Sequence, residues 1–133
     1  MLRITPTLKQ NHGHVINVSA INVLMAPAPY WTAYQSSKSA FDQWFRSAAP
    51  ELRANGVTAT SIYLPLVRTR MMAPTKEYEK MPAMTPEHAA RKIAKSLYKK
   101  NRMVKPWWSF AGIWGSVLFP RYWERRCEKQ LKR

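Results

Sequence analysis

Two short runs of β-branched and apolar residues, His14–Ser19 (HVINVS) and Val57–Leu64 (VTATSIYL), flank a long segment with helical periodicity. Gly13 precedes the first run and Pro65 ends the second. Runs of this kind predict buried strands of a parallel sheet. Between them Phe41, Phe45, Ala48 and Leu52 recur every three to four residues, which predicts a helix over about residues 32–55 with those four on its buried stripe. Pro50 falls inside the pattern and predicts a kink or a break. Asn55-Gly56 predicts the stop, because glycine tolerates the left-handed backbone there. A strand, a helical crossover and a second strand make the two strands parallel.

The pattern changes after Pro65. Residues 65–84 read as a Pro- and Met-rich connection, and a further helix starts at Thr85-Pro86, with Thr85 as its cap. Ala89, Ala90, Ile93 and Leu97 predict its buried face, and Met103-Val104 a last edge strand. Residues 1–12 are polar and broken by Pro6, so they predict neither a regular element nor a secretory signal. The longest apolar stretch, Trp107–Phe119, is 13 residues, short of the ~20 that span a bilayer. The chain therefore reads as an α/β unit over 1–105 and a helical aromatic and basic tail over 106–133, with a cytoplasmic location expected.

Composition sharpens this in three ways. Apolar residues make up 46%, enough for a core. Lys and Arg number 22 against 7 Asp and Glu, a formal +15, and residues 99–133 carry ten of those cations against two acids. The single cysteine, Cys127, excludes an internal disulfide and a multi-Cys zinc site, and with three histidines no metal site is expected. Cys127 itself reads as an incidental thiol. The four glycines, at 13, 56, 112 and 115, form neither a P-loop nor a G-x-G-x-x-G turn.

Candidate chemistry sits at the start of the long helix, in Tyr34-Gln-Ser-Ser-Lys38. Residues four apart share a helix face. An ammonium near a phenol favours the phenolate, so such a tyrosine can move a proton at a carbonyl or alcohol oxygen. The same pair one turn apart is also common on helices with no chemistry. Its surroundings extend the pattern: Asn17-Val18-Ser19-Ala20 ends the first strand, Pro65-Leu66-Val67-Arg68-Thr69 follows the second, and Thr85-Pro86-Glu87 opens the late helix.

In these motifs, over about residues 10–105, the chain resembles the short-chain dehydrogenase/reductase family. The PLVRTRMMAPT segment is closest in flavour to the long-chain acyl-CoA or fatty-aldehyde reductase branch. The resemblance implies the C-terminal half of a Rossmann-type, doubly wound parallel sheet. It also implies an NAD(P)-dependent oxidoreductase acting on a small carbonyl or alcohol, with an acyl chain fitting the branch. Tyr34 would be the proton donor or acceptor. Lys38 would lower the tyrosine's pKa and hydrogen-bond the nicotinamide ribose. Pro65, Val67 and Thr69 would line the cofactor, and Asn17 would lie below the site.

Three departures from the family pattern bear on activity. Only 33 residues precede Tyr34, so the Gly-rich dinucleotide-binding half is not in this sequence. Ala20 stands where the family has its catalytic Ser; Ser19 is adjacent, and one step along a strand reverses the face. If the strand ended at Val18, Ser19 would be able to turn inward. Leu66 replaces the Gly usual after the strand-ending Pro, in a loop one residue shorter. Either a fragment of a longer reading frame or a truncated, impaired relative is therefore expected, with a half sheet whose apolar edge and two faces lack cover. Such a chain would dimerise, pair with a full-length relative or be poorly stable; Trp44 and Phe45 serve a dimer interface or pack on their own sheet.

The tail admits three readings. Its aromatics close over the mouth of the site, or sit at a membrane surface with the cations on anionic lipid, or bind nucleic acid, for which no motif speaks. The alternative to an enzyme is thus a non-catalytic half-domain acting as an interaction or membrane-surface module.

Overall fold

Strand β1 (His14–Ala20) lies parallel to β2 (Thr58–Leu64), with His14 opposite Thr58 and Ala20 opposite Leu64. β3 (Met103–Val104) adds a short parallel pairing on the far side of β2, giving the order β1-β2-β3. This is the parallel α/β arrangement that the two β-branched runs predict. The computed structural model describes residues 3–72 and 74–132; Met1 and Leu2 of the opening stretch and Arg133 of the tail lie outside them.

Helix α1 (Thr5–Gln10) precedes β1, contrary to the expectation for residues 1–12. Pro6 does not break it, because a proline in the first turn has no helical N–H to lose. Leu8 of this helix packs against the cluster around Phe45. Helix α2 (Thr32–Ala54) connects β1 to β2 and runs through the exposed Pro50 without a break. Gly56, at φ +76°, follows its end in the conformation that favours glycine. Helix α3 (Pro86–Lys99) begins as expected: the Thr85 hydroxyl accepts the His88 N–H at 3.2 Å. Helices α4 (Ser109–Leu118) and α5 (Pro120–Leu131) form the tail.

Both sheet faces carry a helix over β2, so the expectation of two uncovered faces is corrected. On one side Phe45, Ala49 and Leu52 of α2 meet Val57 and Ala59. On the other, Ala89 of α3 meets Ile62 and Leu64, with Ile16, Val67 and Ile93 around them. Burying a side chain such as Phe45 is worth about 2–3 kcal/mol. What stays open is the free edge of β1, where Val18 is exposed.

Two predicted stripes are displaced. On α2, Phe41 is exposed, Ala48 is half-buried, and the buried positions are Gln35, Asp42, Phe45, Ala49 and Leu52. On α3, Ala90 and Leu97 face solvent while Ser96 is buried. Trp44 and Phe45 part ways: Phe45 lies in the core under α2, and Trp44 stays exposed beside Phe41 at 5.4 Å between rings.

Candidate active site

A cavity of about 480 Å³ opens beyond the carboxyl ends of β1 and β2. In parallel sheets this is where strand ends and the following loops leave room for a ligand. Tyr34 and Lys38 reach it from the first turns of α2, Ser19 from the end of β1, and Pro65, Val67 and Thr69 from the segment after β2. All six predicted site residues therefore line one cavity. Ala20 borders it too. The strand runs on to Ala20 rather than ending at Val18, so Ser19 keeps its place on the face turned toward α2 and is buried there.

Local bonds hold the walls. Gln35, buried in the first turn of α2, donates Nε2 to the Asn22 carbonyl at 2.8 Å and accepts the Ala28 N–H at 3.1 Å. These contacts fold the loop of residues 21–31 over the start of α2. Trp31 stands edge-on to Tyr34, 6.3 Å between rings, and to Tyr78, 6.2 Å. Across the cavity, Arg68 N–H donates to the Met84 carbonyl at 2.9 Å and Met84 N–H to the Leu66 carbonyl at 2.8 Å. That pairing fixes the path that brings Val67 and Thr69 to the wall.

A buried polar network lies one turn below Lys38. Asp42 accepts from Asn17 Nδ2 at 3.0 Å and from the Tyr63 hydroxyl at 3.1 Å. It thereby ties α2 to β1 and β2 at once. Burial raises the Asp42 pKa, against the opposing effects of the Tyr63 hydrogen bond and the Arg46 charge. Burial, and then the Asp42 charge, push the Tyr63 phenol up to about 12. Asp42 escaped the sequence reading because Phe41 looked like the inward position; the signal was a carboxylate four residues beyond Lys38 and ten before Leu52. Tyr30, Trp31, Met71, Met72 and Tyr78, which also line the cavity, were missed as well. Asn22 sits in the same wall, buried, with both amide atoms unpaired.

The donor set suits one end of a dinucleotide. A phenol, an ammonium and a threonine hydroxyl line the cavity together with apolar Leu64, Pro65 and Val67, residue types that suit a nicotinamide ring with its ribose. Nothing in the sequence supplies a Gly-rich turn for the pyrophosphate.

The sequence pattern of the short chain dehydrogenase family matches residues 1–80. The chain belongs to this family. Its three parallel strands match the fold of that family's solved structures. A short-chain dehydrogenase from Burkholderia cenocepacia, solved in complex with NADP, superposes with a TM-score of 0.74 at 21% identity, covering 92% of this chain and 50% of that one. A fatty acyl-CoA reductase of Acinetobacter baylyi is 41% identical over 97 residues, which is 73% of this chain and 32% of the relative. An oxidoreductase of Mycobacterium tuberculosis is 34% identical over 119 residues, 88% of this chain and 35% of the relative. The chain thus spans about a third of the length of those two relatives.

Proposed function

We propose that this chain is the substrate- and nicotinamide-facing half of an NAD(P)-dependent oxidoreductase that acts on the carbonyl of a long-chain acyl or aldehyde substrate. The observation that carries the reading is the convergence of Tyr34, Lys38, Ser19, Pro65, Val67 and Thr69 on one cavity at the strand ends. The likeness to fatty acyl-CoA reductases supports the acyl substrate. The aromatic and methionine walls supply an apolar lining for such a chain.

When bound, a reduced nicotinamide supplies hydride to the substrate carbon. Tyr34 gives the carbonyl oxygen its proton, and in the reverse direction takes the alcohol's proton. Lys38 would hold the ribose hydroxyls, while Pro65, Val67 and Thr69 would bound the ring and ribose. Ala20 offers the substrate oxygen no donor, and one such donor is worth about 3 kcal/mol of transition-state stabilisation. Turnover by these 133 residues alone is impaired on that ground and for want of the dinucleotide cradle.

A second reading, a non-catalytic half-domain that pairs with another chain, is favoured by the open edge of β1. Nuclear magnetic resonance titration separates the two. Reduced nicotinamide mononucleotide shifts the signals of Tyr34, Lys38 and Thr69, while adenosine monophosphate leaves them unmoved. Shifts confined to other residues, or equal responses to both ligands, contradict the enzyme reading.

A further inference from the structure

Helix α4 is turned inside out for a helix in water. Ser116, 1% exposed, and Ser109 face inward with Gly112 on the same stripe, while Phe110, Trp114 (58% exposed), Val117 and Leu118 stand outward. Successive residues step by about 100° around a helix, which places these two sets on opposite faces. Specific contacts fix the inward side. Ser116 Oγ accepts the Ala26 N–H at 3.1 Å, and a Cβ on Gly112 would stand 3.1 Å from Met25 Cε, so glycine permits the close approach. Trp123 of α5 donates Nε1 to the Pro27 carbonyl at 3.0 Å. The apolar side is thus presented outward by design of the packing, and contiguous apolar surface of this kind marks an interaction site.

Charge selects the partner. Lys105 lies over the Phe110 ring at 4.1 Å, and α5, which follows α4 directly in the chain, exposes Arg121, Arg125, Arg126 and Lys129. A second copy would bring a formal +15 against +15, which opposes self-association. Nucleic acid meets the charge but not the aliphatic Val117 and Leu118. Among the described residues no helix is long and apolar enough to cross a membrane. We infer that α4 and the start of α5 dock, lying flat, on an anionic phospholipid surface, with aromatic rings among the headgroups and arginines on lipid phosphate. The contacts with Met25, Ala26 and Pro27 hold the opposite, inward side of these helices on the loop that walls the cavity through Ile21, Asn22, Tyr30 and Trp31, so the docking face stands on the far side from that loop.

The test is cosedimentation of the 133-residue chain with vesicles of phosphatidylcholine, with or without phosphatidylglycerol, at low and high salt. The inference expects binding at least about tenfold tighter to the phosphatidylglycerol vesicles, weakened by salt. Trp114→Gln should weaken it about tenfold. The pair Arg121→Gln and Arg125→Gln should weaken it about twentyfold, with unchanged circular dichroism in each variant. Equal binding to both vesicles, or none, overturns it. So does a dimer that forms without lipid and is lost in Trp114→Gln, which assigns the face to a second copy, or binding to a nucleic acid oligomer that displaces vesicles and ignores Trp114. No readout uses cofactor or turnover, so failure of the enzyme reading and failure of the docking are separable.

Discussion

Replacing Asp42 by Ala removes the acceptor that joins α2 to both long strands. Asp42 is 3% exposed and holds Asn17 Nδ2 at 3.0 Å and the Tyr63 hydroxyl at 3.1 Å. Both donors are themselves buried, so neither gains water when the carboxylate goes. A stranded buried donor costs about 1–3 kcal/mol, which gives about 2–6 kcal/mol for the two. Release of the carboxylate from its own burial offsets part of this, leaving a net loss of about 2–3 kcal/mol. Against a domain stability of about 5–15 kcal/mol this is large. Tyr63→Phe, which leaves Asp42 its bond from Asn17, should cost about 1 kcal/mol. The double variant should cost less than the sum, with a coupling of about 1 kcal/mol. The pH dependence has a definite sign. The folded-state pKa of Asp42 lies above the ordinary 3.8, so the folded state holds the proton more tightly. Stability then falls as pH rises from about 3.8 through the raised value, and Asp42→Asn removes that fall. Urea unfolding followed by circular dichroism measures all of these. A loss under about 0.5 kcal/mol in Asp42→Ala, or strict additivity with Tyr63→Phe, refutes the reasoning.

Other consequences concern pH, packing and turnover. The His14 pKa is lowered by burial and by Lys100, and its Nε2 meets Thr60 Oγ1 at 2.8 Å while Nδ1 is unpaired. Stability present above pH 6.5 should therefore be lost as pH falls below it, a loss absent in His14→Phe. Tyrosinate absorbance should show a step near pH 12 that Tyr63→Phe abolishes, with stability falling as pH rises from 10 toward 12 in the parent. Asn22→Leu removes two orphaned amide atoms and should raise the urea midpoint, by a gain of about 1 kcal/mol; a lowered midpoint contradicts it. In a chimera completed by the dinucleotide-binding half of the Acinetobacter reductase, Ala20→Ser should raise kcat on a long-chain aldehyde about a hundredfold, and an unchanged kcat counts against the role assigned to that position.

The sheet was legible because β1 and β2 carry their own punctuation, Gly13 before one and Pro65 after the other, and because Thr85-Pro86 caps α3 by purely local chemistry. That Tyr34 and Lys38 border one cavity was legible from the family resemblance together with their spacing. Side-chain facing was less so. Counting apolar residues placed Phe41 inward, whereas a carboxylate with two buried donors took the neighbouring inward direction at Asp42. The inverted face of α4 contradicts any rule that sends Trp and Leu to the core, and it depends on Ser116 meeting Ala26, ninety residues away. The loop walls of the cavity follow from the hydrogen bonds of Gln35, a residue whose type says nothing of its partners.

The central claim is that Tyr34 moves the proton in the nicotinamide half of a reductase. Aldehyde-dependent loss of NADPH absorbance in the completed chimera tests it most directly. The account predicts that Tyr34→Phe lowers kcat by about 10²–10⁴-fold while NADPH binding is retained. Turnover that survives Tyr34→Phe within a factor of a few contradicts it.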